Sequence, residues 1–152
     1  MEKFAQYKDS YIHFVEAGFI AVNQADEDAA IKLFKAAALL KPENTLPQLG
    51  TGYLHLCKLE LKQAIQAFRD VLAKEAHNEM AKAFLGFALC LTPTEVATGE
   101  KQLEETIKTA HDPAIKELAG NALDFVEKFV KKPLPPMQAQ KGEGKKKDKG
   151  KK

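Results

Sequence analysis

The chain has 152 residues, of which 45% are hydrophobic and 29% are charged, a length that fits one domain with its own core and is too short for two. It contains no run of 18 apolar residues, which excludes a membrane-spanning helix, and its beginning, MEKFAQYKDS, predicts no secretion signal. The two cysteines, Cys57 and Cys90, exclude a disulfide framework and favour a reducing cytoplasm.

The net charge of +2 is unevenly distributed along the chain. Residues 141–152 hold seven Lys and two acidic residues and carry +5, whereas the remaining 140 residues carry −3. Residues 141–152 have no apolar side chain to bury, and PLPP at 133–136 ends any preceding helix. We therefore predict a folded domain of residues 1–132 and a disordered Lys-rich tail of residues 133–152. Binding of nucleic acid by the tail is an alternative, which the lack of Arg and aromatic residues in 141–152 disfavours.

A regular spacing of small and aromatic residues is the strongest pattern in the chain. Gly18, Gly52 and Gly86 are each 34 residues apart, and Phe34 and Phe68 follow the first two glycines by sixteen residues. This period resembles the tetratricopeptide repeat, in which two antiparallel helices cross closely at small residues. The resemblance implies an all-α superhelix with repeats at about 11–44, 45–78 and 79–111 and a capping helix at 113–131.

Apolar periodicity and capping residues predict the individual helices, and no strand is predicted. Asn78 and Asp112 are the expected N-caps of two of them. The third repeat fits less well, since its second helix aligns only with a five-residue insertion within 92–99 that pairs Phe68 with Ile107. The predicted helices lie near 5–23, 27–40, 46–58, 61–74, 79–91, 100–110 and 113–131.

The resemblance also implies that the first helix of each repeat lines a concave groove. Of the fifteen positions it assigns to the groove, only Asn23 is polar, and the opposite face of the same helices is also largely apolar. A helix that is apolar on two faces must bury both, so we predict that the groove binds a partner's amphipathic helix. Phe19, Tyr53 and Phe87 are its expected aromatic anchors. The predicted groove residues are Ile12, Val15, Phe19, Val22, Leu46, Leu49, Tyr53, Leu56, Cys57, Met80, Ala83, Phe87, Cys90 and Leu91.

These positions offer little reactive chemistry. Their two thiols have no basic or imidazole neighbour to activate them, so we predict no enzyme, no metal site and no cofactor. Repeat proteins that hold the acidic C-terminus of a heat-shock chaperone carry Lys and Asn where this chain has Val15 and Phe19. Capture of a carboxylate is therefore not expected.

The size, the three repeats, the capping helix and the apolar groove together resemble the bacterial type III secretion chaperones. The resemblance implies a cytoplasmic bacterial protein that holds the amphipathic helix of a needle subunit and prevents premature polymerisation. It also implies a small helical-hairpin co-chaperone on the first repeat, near Tyr7, Tyr11, Phe14 and Ile20. The translocator chaperones are an alternative, although they usually carry a further segment before the first repeat. A repeat scaffold whose groove is filled by self-association is the alternative from another class.

Overall fold

The computed structural model describes residues 2–132, and within them the chain is all-α, as predicted, with seven α-helices and no strand. A 3-10 segment, Glu2–Ser10, precedes the first helix, and a π-helical turn, Val126–Val130, follows the last. No described helix is both long and apolar enough to cross a bilayer. The predicted tail, 133–152, lies outside the described residues. The helices are α1 (Tyr11–Asn23), α2 (Glu27–Leu40), α3 (Leu46–Cys57), α4 (Leu61–Lys74), α5 (Glu79–Cys90), α6 (Val96–Thr109) and α7 (Pro113–Phe125).

Side-chain caps fix where several helices begin. The Asp26 carboxylate accepts a hydrogen bond from the Ala29 N–H at 3.0 Å at the start of α2. Asn78 caps α5 in the same way, and Asp112 caps α7, where Pro113 occupies the first helical position. Each cap satisfies a backbone donor that has no partner within its own helix, so both predicted caps are confirmed.

Close crossings at glycine join α1 to α2 and α3 to α4. A methyl group on Gly18 would lie 2.5 Å from the Phe34 ring, and one on Gly52 would lie 2.6 Å from the Phe68 ring. Each ring therefore occupies the space that a side chain on the facing helix would need. The sixteen residues that separate each of these glycines from its phenylalanine in the sequence thus correspond to a contact between two consecutive helices.

The same crossing joins α5 to α6, but the register differs from the prediction. A methyl group on Gly86 would lie 2.8 Å from Leu103, which is fully buried, whereas Ile107 is only partly buried. Leu103 is therefore the counterpart of Phe68, and the insertion between the two helices is one residue. The predicted five-residue insertion is wrong because it was based on the similarity of surface residues, Lys62-Gln63 and Lys101-Gln102, which do not determine the packing.

Each helix packs on the next one along the chain, and the odd-numbered helices also contact one another in the order α1, α3, α5, α7. The core lies between the odd and even helices and is centred on large, fully buried side chains, notably Phe68, Leu103 and Val71. The odd helices consequently form a continuous wall, with one face against the core and the other directed away from it.

The carboxylate of Glu79 fastens the beginning of α5 to the turn between α6 and α7. It accepts hydrogen bonds from the backbone N–H groups of His111 at 2.8 Å and Asp112 at 3.2 Å, and it lies 2.8 Å from the His111 Nδ1 atom. These contacts, led by the His111 N–H, lower the pKa of Glu79 from 4.5 to about 2. We refer to them as the Glu79 clamp.

Two helical glycines provide a matched test of the packing. A methyl group on Gly99, in α6, would lie 2.5 Å from the Cys90 backbone nitrogen, whereas one on Gly120, in α7, would meet no described atom within 4 Å. We expect Gly99→Ala to lower the free energy of unfolding by about 1–3 kcal/mol through overpacking. Gly120→Ala should raise it by about 0.5–1 kcal/mol because alanine favours the helix. Urea denaturation of both variants checks this, and stabilisation by Gly99→Ala would contradict the close crossing.

The Glu79 clamp predicts a pH-dependent loss of stability. Because the folded-state pKa lies below the unfolded value, the ionised carboxylate stabilises the fold above about pH 4.5, and this contribution is lost as the pH falls toward 2. Glu79→Gln should therefore lower the melting temperature at pH 7 and have a smaller effect at pH 3. Glu104→Gln, at an exposed position of α6, is the control. An equal effect of Glu79→Gln at both pH values would show that its charge is not involved.

Candidate functional site

Two adjoining apolar cavities lie against the wall of odd helices. The first has a volume of about 530 Å³ and lies among α3, α5 and α7, and the second, of about 500 Å³, extends to α1. They share Tyr53, Phe84 and Leu118 in their linings. We call the two cavities together the groove.

Ten of the fourteen predicted groove residues line these cavities. They come from three different helices and the residue after α5, so the odd-helix wall brings together side chains that are up to 72 positions apart. The ten are Phe19, Leu46, Leu49, Tyr53, Leu56, Cys57, Met80, Ala83, Phe87 and Leu91.

The other four predicted residues lie elsewhere. Val15 and Val22 are 3% and 5% exposed and pack toward α2 with the core, and Cys90 is fully buried in the cluster around Leu103. Ile12 is exposed but lies outside both cavities. The prediction for the three buried residues is wrong because α1 and α5 turn those positions toward the helices that follow them.

The structure adds groove residues that the sequence interpretation missed. Phe84 was missed because its position, two residues before Gly86, is not among the offsets that the resemblance assigns to the groove. The contribution of α7 was missed because that helix was assigned only a capping role, although Gly120 lies 34 residues after Gly86 and could have revealed it. The added lining residues are Leu59, Asn78, Phe84, Leu118, Asn121, Ala122 and Phe125, together with Asn23.

Aromatic rings pack against the three predicted anchors. Phe19 packs edge-on against the Phe34 ring at 5.3 Å between centroids, and Tyr53 stacks on Phe84 at 5.1 Å. Phe87 meets the Phe125 ring edge-on at 5.7 Å. The three predicted anchors thus line the groove and are also held by neighbouring rings, which limits the rotamers they can adopt.

The polar groups of the groove are few and largely engaged. None of the described residues that line it is charged. The Tyr53 hydroxyl donates to Asn23 Oδ1 at 2.9 Å, and burial, together with the neighbouring Cys57 thiol, raises the pKa of Tyr53, so this phenol stays neutral. The Asn78 side chain caps α5. Such a lining favours an uncharged apolar surface and penalises a buried charge.

The two cysteines differ in accessibility. Cys57 is exposed on the groove, whereas Cys90 is buried between α5 and α6, with its Sγ 3.8 Å from the Val96 carbonyl oxygen. Burial raises the pKa of the Cys90 thiol to about 11. Within residues 2–132, no three His, Cys, Asp or Glu side chains are grouped as metal ligands would be.

Comparison of the sequence with protein-family models and with curated proteins finds no match. The basis for assigning a function is therefore the groove itself, whose shape, apolar lining and lack of charge are all set by the odd helices. Its volume is in the range of pockets that hold large apolar side chains or small molecules.

The exposure of the cysteines predicts their reactivity. We expect a maleimide to modify Cys57 rapidly in the folded protein and Cys90 only after unfolding, because Cys90 is both buried and protonated at neutral pH. Mass spectrometry after native and denaturing labelling counts the modified thiols. Cys57→Ser should take up no label under native conditions, and native labelling of that variant would contradict the burial of Cys90.

Proposed function

We propose that this chain is a non-enzymatic chaperone or adaptor that holds the amphipathic helix of a partner in the groove. The observation that carries the proposal is a pair of adjoining cavities whose lining is apolar and uncharged. Helix-in-groove recognition uses such a surface, since the bound helix satisfies its own backbone groups and contributes apolar anchors. Exposed aromatic residues at one edge, Phe125 and Phe129, support an apolar partner further.

We also propose a tetratricopeptide-like architecture for the helix pairs. The glycine crossings recur at 34-residue spacing, and the turns after α1 and α3 have matching backbone hydrogen bonds and a positive φ of 58° at Ala25 and Leu59. The open space beside Gly120 supports α7 as the last helix of the described stack, because no described helix packs there as α2, α4 and α6 do beside the earlier glycines.

The specific function that we propose is that of a bacterial type III secretion chaperone for a needle subunit, acting in the cytoplasm. A needle subunit has an amphipathic helix that would otherwise polymerise, and covering its apolar face blocks that assembly. The uncharged groove suits reversible apolar binding, which allows release. A translocator chaperone would use the same groove and remains the alternative. If a co-chaperone binds the first repeat, Tyr7 and Ile20 are exposed to contact it, whereas Tyr11 is buried.

A charge placed in the groove tests this proposal. Cys57 is exposed on the groove and Ala73 is exposed on α4 outside it, so both can be replaced by Glu with little effect on the core. We expect the protein purified from its own cell to carry one or two small helical proteins. Cys57→Glu should weaken that complex at least tenfold (about 1.4 kcal/mol) because it buries a charge, and Ala73→Glu should leave it unchanged.

The native mass of each variant separates the outcomes. A heterocomplex that is lost only with Cys57→Glu supports the chaperone. A homodimer without other proteins, dissociated by the same substitution, would mean that the groove covers itself and would favour the scaffold. A heterocomplex that survives Cys57→Glu and is lost on removing residues 141–152 would show that the Lys-rich tail, and not the groove, binds the partner.

A further inference from the structure

The turn that ends α3 holds a leucine in a backbone conformation that suits glycine. Leu59 has a φ of 58°, and the hydrogen bonds from Leu59 N–H to the Leu56 carbonyl and from Glu60 N–H to the His55 carbonyl form a Schellman motif. The left-handed position of this motif is usually glycine, because a Cβ atom there crowds the backbone. The leucine at position 59 therefore makes the backbone of this turn less stable than glycine would.

The corresponding turn after α1 shows that the turn itself does not require leucine. Ala25 has the same φ of 58°, and the bonds from Ala25 N–H to Val22 and from Asp26 N–H to Ala21 repeat the motif. A methyl side chain is sufficient at that position. The two turns thus have the same backbone and differ in how much apolar surface they present.

Ion pairs between residues next to Leu59 stabilise the turn without a contribution from the Leu59 side chain. The Lys58 ammonium lies 2.5 Å from a Glu27 carboxylate oxygen and 2.9 Å from one of Glu60, and Glu60 also contacts the His55 ring at 2.6 Å. The Leu59 side chain is 68% exposed, so the core gains little from it. Neither the turn nor the core explains its size.

The position of Leu59 relative to the groove suggests what its side chain contacts. It lines the first cavity beside Cys57, Leu91 and Phe125, whereas Ala25 lines neither cavity. All four of these side chains are uncharged, so a partner segment seated there must present an uncharged apolar face. A helix with large aliphatic or aromatic side chains on one face has this chemistry.

We propose that Leu59 is a partner-contact residue at the mouth of the groove, retained in a strained turn because it packs on the apolar face of the bound helix. This inference rests on the proposed function and adds to it the place where the helix enters the groove, between the end of α3 and α7. The strain at Leu59 is offset in the complex, where its exposed surface becomes buried.

A pair of glycine substitutions tests the proposal. Leu59→Gly and Ala25→Gly both relieve a positive φ, and only the first removes surface from the groove. The probe is a synthetic, net-neutral helical peptide of about five turns with Leu and Phe along one face. Its affinity is measured by fluorescence anisotropy, and its location by whether it protects Cys57 from a maleimide. A peptide of the same composition in scrambled order is the control.

We expect the wild-type chain to bind the amphipathic peptide, with protection of Cys57, and to bind the scrambled peptide much more weakly. Leu59→Gly should weaken binding about tenfold, as expected for the loss of a largely buried leucine side chain. Ala25→Gly should leave the affinity unchanged, and neither variant should lower the melting temperature.

The possible failures are distinguishable. If Leu59→Gly binds the peptide as the wild type does and Cys57 is still protected, Leu59 is not a contact residue, and the proposed function is unaffected. If the wild type binds neither peptide, the proposed function fails and this inference fails with it. If light scattering shows a dimer that Leu59→Gly dissociates, the occupant is a second copy of the chain, which overturns the assignment to a partner helix.

Discussion

The close approach of consecutive helices at glycine is the constraint on which the rest of the structure depends. At Gly18 and Gly52 an aromatic ring of the next helix lies where a side chain would otherwise be, and at Gly86 the leucine Leu103 does the same. These contacts place each odd helix directly against the following even helix and leave its opposite face free. Since the odd helices also contact one another, their free faces are continuous. The position of the groove therefore depends on where the glycines allow large side chains of the even helices to pack against the odd helices.

The apolar side chains of the odd helices are divided between two environments. Val15, Val22 and Cys90 fill the spaces beside the even helices, whereas Tyr53, Phe87 and Leu91 are only partly buried and face the cavities. In the second group, Tyr53 packs on the Phe84 ring and Phe87 on the Phe125 ring, and these ring pairs within the lining restrict the rotamers that shape the groove.

Sequence periodicity predicted the number and order of the helices, but α1 begins at Tyr11 and not near residue 5, and α6 begins at Val96 and not near residue 100. These differences have a physical pattern. The beginnings of helices were predictable where a side chain such as Asn78 or Asp112 caps them, because capping is local. The register of α6 was not, because it depends on which side chain, Leu103 or Ile107, meets Gly86 across the interface. The number of residues between a side chain and a glycine gives the direction of that side chain only if the helix is ideal. In the structure, Val15, Val22 and Cys90 lie in the core and Phe84 lines the groove, which their offsets from the glycines did not indicate.

Helix α7 forms one side of the groove, and no later described helix packs against α7 to hold it in place. Its contacts are with α5, with α6 and through the Glu79 clamp, which joins the beginning of α7 to the beginning of α5. A partner that contacts α3, α5 and α7 together binds only when α7 is docked. By linkage, the free energy of binding then adds to the stability of α7 against undocking, and a weakened clamp lowers the affinity of the groove. The Glu79 clamp and the groove residues proposed to contact a partner are thus coupled through α7.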